Sequence, residues 1–395
     1  MISEKMKPLM ANNSAIRTMF EEGDKMRAKF GRENVFDFSL GNPDAPTPPE
    51  VNKAIKEIVD EEPDLILHGY MNNAGFEDVR QTIAEHINAT QETNFSAKNI
   101  LMTVGAASGL NVALKTILNP GEEVVIFKPY FLEYNWYVNN FDGVVVQAET
   151  DQSTFQPNLV AFEACITDKT RVVLVNSPHN PTGVVYSEET IQGIAAILEK
   201  KQKELGRTIF IIADEPYREL AYDGIQVPYV TKYYANTIVA YSYSKSLSLP
   251  GERIGYLVIP DELEESQLVF DTASNANRII GCVNAPSLQQ KVIAKCVDAK
   301  VDLSYYDKNR KALYKGLKEC GFSCVMPQGA FYLFMKSPVE KEEEFCQAAK
   351  KYNILLVPGS AFAGPGYVRL AYCVSYETIV NSMPGFKKLA EEYGL

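Results

Sequence analysis

Lys245 closes a Ser242-Tyr243-Ser244-Lys245 sequence and is followed by Arg253. The preceding residues 237–241 are β-branched and apolar, which predicts a buried strand with the polar side chains at its end. A lysine amine can condense with a carbonyl carbon, while hydroxyl groups and a guanidinium can hold a phosphate. The stretch therefore favours a phosphorylated aldehyde as ligand, although an exposed loop that happens to contain a lysine would show the same local pattern.

Polar, small or aromatic residues also follow other apolar stretches. Between about residues 100 and 260, predicted strands alternate with predicted helices, which is typical of a mostly parallel sheet covered by helices. Ligands of such sheets bind beyond the carboxyl ends of the strands. The residues that follow predicted strands, and so should share that edge of the sheet, are Gly105, Ala106, Ala107, Phe131, Asn180, Asp214, Tyr217, Ser242, Ser244 and Lys245.

Two of these features indicate which charges a ligand should carry: the stretch 105–109 and Asp214. Residues 105–109 are small and predict a turn before a helix that begins near Leu110, where free backbone N–H groups could bind an anion. The Gly-x-x-x-Gly pattern is neither a dinucleotide fingerprint nor a P-loop, so it does not identify the ligand alone. Asp214 ends a wholly apolar strand, where a carboxylate is costly to bury unless it meets a positive partner.

The rest of the chain predicts a second, smaller layer. A first helix is expected between a Ser14 cap and Gly31, and residues 286 to about 320 predict one long helix. Apolar stretches beyond it predict strands of an α+β layer. We therefore expect an N-terminal arm with part of the small domain over residues 1–45, a large ligand-binding domain over 46–285 and a small C-terminal domain over 286–395.

Composition excludes several classes of protein. The 395 residues carry a net charge of −11, which argues against binding to nucleic acid or to an anionic membrane. Seven cysteines without a CxxC pair favour reduced, buried thiols over a disulfide framework, and three histidines argue against a zinc site or a Ser-His-Asp triad. No apolar segment is long enough to span a membrane and the N-terminus has no apolar signal region, so a cytoplasmic protein is expected.

Four motifs occur in a specific order and spacing: Asn180-Pro181-Thr182-Gly183, Asp214-x-x-Tyr217, Ser242-x-Ser244-Lys245 with Arg253 and Gly255, and Arg369. Taken together, they resemble those of the pyridoxal-phosphate aminotransferases of fold type I, class I/II, and the resemblance covers nearly the whole chain. Two departures concern the cofactor: the phosphate turn lacks the hydroxyl that many relatives have, and Phe131 stands where aspartate-specific relatives usually have tryptophan.

The resemblance implies a cofactor-binding role for most of these residues. Lys245 would attach the cofactor covalently and shuttle a proton, and Asp214 would pair with the ring nitrogen. Tyr217 and Asn180 would bind the ring oxygen, and Phe131 would stack on the ring, with Tyr130 as the alternative. The phosphate would be held by the backbone of Gly105, Ala106 and Ala107 and by Ser242, Ser244 and Arg253.

Substrate and subunit contacts are implied in the same way. Arg369 would clamp the substrate α-carboxylate with help from Gly41 and Asn180; the alternative is an arginine that pairs with a structural carboxylate. Residues alone favour a packed role for Tyr70. In the family, however, the tyrosine of Tyr-x-x-x-x-Gly, here Tyr70, reaches the phosphate of the other subunit, which implies a homodimer with shared active sites.

The implied function is an amino acid aminotransferase that moves the amino group of an L-amino acid to a 2-oxo acid by a ping-pong mechanism. A carbon–sulfur β-lyase on the same scaffold is the alternative, although Leu249-Pro250-Gly251-Glu252-Arg253 is more frequent in aminotransferases. The ligand-sensing half of a transcription regulator would need a DNA-binding domain, for which about 40 residues before the core leave no room. The preferred substrates stay open, because Arg278 is the only arginine roughly placed to meet a side-chain carboxylate and its spacing does not match the aspartate pattern.

Overall fold

The computed structural model describes residues 2–7 and 15–395, so the predicted Ser14 cap lies outside the described residues. Short strands alternate with helices from residue 100 onward. The described strands are β1 (Phe36–Asp37), β2 (Ile100–Thr103), β3 (Glu123–Phe127), β4 (Val144–Ala148), β5 (Thr170–Asn176), β6 (Phe210–Asp214), β7 (Thr237–Ser242), β8 (Gly255–Val258), β9 (Tyr332–Lys336), β10 (Ile354–Leu355), β11 (Val357–Pro358) and β12 (Tyr367–Ala371).

Helices cover both faces of the large sheet and pack around the smaller one. Several begin at a side chain that accepts a backbone N–H group, such as Ser187, Asp302 and Ser375. The described α-helices are α1 (Ala15–Phe30), α2 (Pro49–Glu61), α3 (Asp64–Leu67), α4 (Glu77–Gln91), α5 (Gly105–Ile117), α6 (Glu133–Asn139), α7 (Leu159–Cys165), α8 (Glu188–Leu205), α9 (Tyr243–Ser246), α10 (Ser266–Ile279), α11 (Ser287–Lys295), α12 (Leu303–Glu319), α13 (Glu342–Ala349) and α14 (Tyr376–Glu392).

The large sheet contains seven strands in the order β2-β8-β7-β6-β5-β3-β4. Its neighbours pair in parallel from β4 through β7, and β8 runs antiparallel to both β7 and β2. The predicted mostly parallel sheet between helices is therefore confirmed. The parallel strands end at one edge, and that edge carries Asn176, Asp214 and Ser242.

Both faces of this sheet are buried, which explains the continuous apolar strands of the sequence. Val173 and Val175 of β5 pack into one core, and Val172 and Leu174 of the same strand pack into the other. This alternation follows from the two-residue period of a strand.

A smaller three-stranded antiparallel sheet, in the order β11-β12-β9, forms the α+β layer expected near the C-terminus. It shares a third core with α12 and α14, in which Phe331, Tyr332 and Phe386 are buried. Tyr217, which follows the large sheet, packs into the same core. The site therefore lies where the two layers meet. The residue boundaries of the domains stay a prediction.

Two local predictions were wrong. Residues 105–109 form the start of α5 rather than a turn: only Gly105 has a positive φ, +76°, and the alanines that follow favour a helix. The single long helix expected from residue 286 is two helices, α11 and α12. The second begins where the Asp302 side chain accepts the Ser304 N–H group, which caps a new helix.

The seven cysteines are all free thiols: Cys296, Cys346 and Cys373 are buried and the other four are half-buried. None of the helices in the described part of the chain is long and apolar enough to cross a membrane.

Candidate active site

A cavity of about 400 Å³ opens at the carboxyl ends of the large sheet. Lys245, Asp214 and Arg369 lie in its wall, although they come from three distant parts of the chain. The other predicted site residues in the wall are Gly41, Ala106, Ala107, Phe131, Asn180, Tyr217, Ser242, Ser244 and Arg253.

Asp214 ends β6 inside the wall and is 6% exposed. The Tyr134 hydroxyl donates a hydrogen bond to its Oδ2 at 2.6 Å, whereas its Oδ1 is buried and has no hydrogen-bond partner among the described residues. Burial raises the pKa of Asp214 to about 7, against the lowering effect of the Tyr134 hydrogen bond. This carboxylate is therefore oriented and only half satisfied, and a positively charged N–H group would complete it.

Asn176 holds the strand end that carries Asp214. Its side-chain amide donates to the Asp214 carbonyl at 2.8 Å, and its Oδ1 accepts the Asn180 N–H group at 2.9 Å. One side chain at the end of β5 therefore fixes both the end of β6 and the loop that places Asn180 in the cavity.

Lys245 lies in α9, the single helical turn that follows β7, and its Nζ donates to the Gly41 carbonyl at 2.6 Å. Burial is the main cause that lowers the pKa of Lys245 to about 8; Cys373 opposes this shift, and the charges of Arg369 and Arg253 contribute to it. A substantial fraction of the amine is therefore neutral near physiological pH. Only the neutral amine can attack a carbonyl carbon.

The other end of the cavity is built to receive an anion. Arg253 donates to the Pro250 carbonyl at 3.0 Å, and no carboxylate of the described residues lies within ion-pair distance of it. Ser242 Oγ and Ser244 Oγ lie 2.6 Å apart beside it. Gly105, whose φ of +76° favours glycine, lies so close to Arg253 that a Cβ there would come within 2.7 Å of the guanidinium.

Arg369 is 2% exposed in β12, and among the described residues it too has no ion-pair partner. It donates to the Ser39 carbonyl at 2.6 Å and to Asn180 Oδ1 at 3.2 Å, and its Nε is buried with no partner in the described part of the chain. The alternative of a structural ion pair therefore does not fit the described residues. A buried, unpaired guanidinium in a cavity wall instead favours a carboxylate ligand.

Phe131 lies in the cavity wall and Tyr130 does not. The Tyr130 hydroxyl is held in the core, where it donates to Asn135 at 2.9 Å and accepts from Gln147 at 3.0 Å. The geometry thus favours Phe131 as the stacking residue.

Three predicted residues lie outside the cavity wall of this chain. Gly105 lies behind it, beside Arg253. Arg278 is on α10, where it donates to Asn275 at 2.8 Å. Tyr70 is 95% exposed, so no contact with its own cavity holds it.

The wall also contains residues that were not predicted, among them Tyr134, Asn176 and Tyr332. Tyr134 follows Phe131 by one helical turn, and Asn176 ends a predicted strand, so both positions carried a usable signal. Tyr332 looked like an ordinary strand aromatic, because its contact with Tyr217 joins two layers that are far apart in the chain.

Comparisons with known proteins identify the family. The model of the family "Aminotransferase class I and II" matches residues 33–381. The chain belongs to the class I and II aminotransferases. These are pyridoxal-phosphate-dependent enzymes, and the present aminotransferase moves an amino group between an amino acid and a 2-oxo acid.

Individual relatives agree with this assignment. This aminotransferase is 31% identical to an aspartate aminotransferase of Thermotoga maritima, over 89% of the present chain and 90% of the relative. It is 33% identical to a probable N-acetyl-LL-diaminopimelate aminotransferase of Bacillus subtilis, over 88% and 87% of the two chains. A crystal structure of an aminotransferase from Eubacterium rectale superposes with a TM-score of 0.97 at 47% identity, over 100% and 99% of the two chains. The names of these relatives support amino transfer and give no support to the β-lyase alternative.

Proposed function

We propose that this aminotransferase binds pyridoxal 5′-phosphate in the cavity between Asp214 and Arg253. The observation that carries the proposal is Asp214: its carboxylate is buried, oriented by Tyr134, and left with one oxygen unpaired. A protonated pyridine nitrogen is a suitable partner for that oxygen. The pairing would keep the ring positively charged, and a charged ring withdraws electrons from the reacting carbon.

The donor set at the other end of the cavity fits the phosphate. The Arg253 guanidinium donates to the carbonyls of Pro250 and Val104, and Ser242 and Ser244 offer hydroxyl groups. The first turn of α5 brings the backbone N–H groups of Gly105, Ala106 and Ala107 to the same end. Because this turn has no side-chain hydroxyl at its first three positions, Arg253 and the two serines should contribute much of the affinity for phosphate.

When bound, the cofactor would supply an aldehyde and a ring that accepts electrons from the substrate α-carbon. The neutral amine of Lys245 is the group for covalent attachment, and it would then move a proton from the α-carbon. Tyr217 and Asn180 would bind the ring oxygen, and Phe131 would lie against the ring. Arg369 would bind the substrate α-carboxylate beside Asn180 and the Gly41 backbone.

The proposal extends to the assembly and the substrates. We propose a homodimer in which Tyr70 of each subunit reaches the phosphate in the neighbouring site, which is consistent with its 95% exposure in the single chain. We further propose that the enzyme acts in the cytoplasm, in amino acid metabolism. Aspartate, alanine and larger neutral or aromatic amino acids are the candidate donors.

Reconstitution with pyridoxal phosphate tests the proposal. The purified wild-type protein should acquire the absorbance of a covalently bound cofactor, and Lys245→Ala should not. Lys315→Ala, at an exposed lysine of α12, is the matched control and should behave like wild type. A Lys245→Ala variant that transaminates at the wild-type rate would contradict the mechanism.

A panel of L-amino acids with 2-oxoglutarate, oxaloacetate or pyruvate then defines the substrates. An amino acid alone should convert the bound cofactor to its amine form without release of pyruvate or sulfide. Release of either product in each turnover would instead support the β-lyase.

A further inference from the structure

Tyr332 contacts both the proposed carboxylate clamp and the proposed cofactor site. Its ring centre lies 4.4 Å from the guanidinium carbon of Arg369, and its hydroxyl lies 2.9 Å from the hydroxyl of Tyr217. Tyr332 is 3% exposed and lines the cavity. A Cβ at position 41 would come within 2.0 Å of this hydroxyl, so Gly41 leaves the space that the hydroxyl fills.

We propose that Tyr332 is a positioning residue with two separable roles: its ring holds Arg369 for the substrate carboxylate, and its hydroxyl strengthens the hydrogen bond that Tyr217 gives to the cofactor ring oxygen. The inference rests on the proposed function, because it assumes the assigned roles of Tyr217 and Arg369. The two roles use different atoms of one side chain, so they can be removed one at a time.

The ring of Tyr332 lies against the buried guanidinium of Arg369. Burial lowers the pKa of Arg369, and among the described residues no carboxylate pairs with it. The faces of aromatic rings attract the planar guanidinium and restrict its orientation. Phe362 provides a second ring, whose centre lies 4.5 Å from the same guanidinium carbon. A carboxylate that binds both nitrogens of a guanidinium needs that fixed orientation.

The role of the Tyr332 hydroxyl follows from the fact that a tyrosine hydroxyl has only one hydrogen to donate. Tyr217 has a single hydroxyl hydrogen, so if it donates that hydrogen to the cofactor its oxygen is left to accept one. Tyr332 is the group at hydrogen-bond distance of this oxygen. A hydroxyl that accepts a hydrogen bond is polarised and becomes a better donor. A stronger donor stabilises negative charge on the cofactor ring oxygen. This lowers the pH midpoint of the cofactor absorbance, which is the pH at which the absorbance lies halfway between its acidic and basic limits.

Position in the fold supports both roles. Tyr332 begins β9 and pairs with Ala371 of β12, the strand that carries Arg369. Tyr217 lies in the loop that follows β6 and packs its ring edge-on against the ring of Tyr332, with centres 5.8 Å apart. The tyrosine therefore cannot move relative to either partner without disturbing the packing between the two layers.

Three variants separate the roles in the holoenzyme. Tyr332→Phe removes the hydroxyl and keeps the ring, Phe362→Leu removes only the other ring, and Tyr332→Leu removes ring and hydroxyl together. Two measurements are made on each: the pH midpoint of the cofactor absorbance, and the KM and kcat of the best amino donor. Asp214, Arg369 and Cys373 also face this pair of tyrosines and stay unchanged throughout.

Tyr332→Phe should raise the spectral midpoint by roughly half a pH unit, and KM should rise less than about threefold. Phe362→Leu should raise KM about 3- to 30-fold and leave the midpoint in place. Tyr332→Leu should show both changes; if it fails to fold, Tyr332→Met, which also removes ring and hydroxyl together, takes its place.

An unchanged or lower midpoint in Tyr332→Phe would overturn the role of the hydroxyl. An unchanged KM in a folded Tyr332→Leu or Tyr332→Met would overturn the role of the Tyr332 ring. These failures differ from failure of the proposed function, in which the wild-type protein itself would not acquire the cofactor absorbance.

Discussion

At the scale of single residues, Asp214 should make the cofactor-free protein sensitive to pH. Burial raises the pKa of Asp214 from 3.8 to about 7, so the folded state holds a proton that the unfolded state has already lost between these values. The resulting contribution to stability is full below about pH 4 and is lost as the pH rises through 7. Above pH 7 the folded protein must therefore keep a buried charge without its partner.

We expect cofactor-free Asp214→Asn to be more stable than wild type near pH 8, and this advantage to shrink by about 2 kcal/mol near pH 5. Urea unfolding of both cofactor-free proteins at the two pH values measures the difference. Asp271→Asn, at an exposed aspartate that accepts a hydrogen bond from Gln267, is the control and should follow wild type. An advantage that is equal at both pH values would show that Asp214 is not the group that titrates.

Tyr134 gives a second prediction at this scale. Its hydroxyl is the hydrogen-bond donor that lowers the pKa of Asp214, so its loss leaves a buried carboxylate without that stabilisation. Tyr134→Phe should therefore raise the dissociation constant of pyridoxal phosphate about tenfold, as measured by absorbance titration.

The matched control for this variant is Tyr130→Phe. It also removes a buried hydroxyl with two hydrogen-bond partners, but neither partner is Asp214 and the residue does not line the cavity. Cofactor affinity should stay within about threefold of wild type. Equal losses in the two variants would mean that Tyr134 acts only through packing.

The sequence predicted those site residues whose position follows from chain direction alone. Asp214 and Lys245 directly follow apolar strands, and parallel strands must end at one edge. Tyr134 was missed because its contact depends on the orientation of α6, and Tyr332 because its contact crosses between layers. The local pattern of apolar residues encodes neither the orientation of α6 nor the contact between the two layers.

At the scale of elements, strands were predicted better than the helices that join them. The segments that form β5, β6 and β7 are rich in β-branched residues, and this composition favours a strand over a helix. The break between α11 and α12 depends on one capping side chain, Asp302, and such a cap leaves the helical periodicity on both sides intact.

The loop between β11 and β12 supports a prediction at the element scale. Glu342, 2% exposed at the start of α13, accepts the N–H groups of Ser360 at 2.8 Å and Gly366 at 3.0 Å. Within this loop, the carbonyl of Phe362 accepts the Tyr130 N–H group at 2.7 Å. One carboxylate therefore holds the loop that carries the second ring against Arg369.

Glu342→Ala should lower the free energy of unfolding by about 1–3 kcal/mol, because the N–H groups of Ser360 and Gly366 lose their hydrogen bonds to a buried carboxylate. It should also raise the KM for amino acids, because the ring of Phe362 is no longer held. Urea unfolding and steady-state kinetics measure the two effects. Glu343→Ala, which removes only a bond to the exposed Ser360 hydroxyl, should change stability by less than about 0.5 kcal/mol; an equal loss there would contradict the argument.

At the scale of the whole molecule, one chain leaves part of its proposed site unexplained. Tyr70 is assigned to the cofactor phosphate and yet is 95% exposed, whereas the other assigned side chains lie in or beside one cavity. Apolar side chains near Tyr70 in the sequence are exposed as well: Leu65 is 90% exposed and Ile66 is 48% exposed. A second copy that covers this surface would explain both observations. No pattern within a single chain can reveal such a contact, which is why the assignment of Tyr70 came from the resemblance alone.

Mixing two defective subunits tests this arrangement. Lys245→Ala lacks the amine of its own site but carries an intact Tyr70, and Tyr70→Phe carries the amine but lacks the hydroxyl. If Tyr70 serves the neighbouring site, a hybrid dimer contains one site with both groups. Equal amounts of the two variants, unfolded and refolded together, should then recover about a quarter of the wild-type activity, since half of the dimers are hybrids with one complete site.

If Tyr70 serves its own subunit, the hybrid contains no complete site. Activity should then stay at the average of the two variants refolded separately, which is the control for the refolding step. Analytical ultracentrifugation of each variant supplies the second control, because both must still be dimers for the mixture to form hybrids. Recovery in the mixture can arise only if the hydroxyl of one chain acts in the site of the other, so this result would place each cofactor between two subunits.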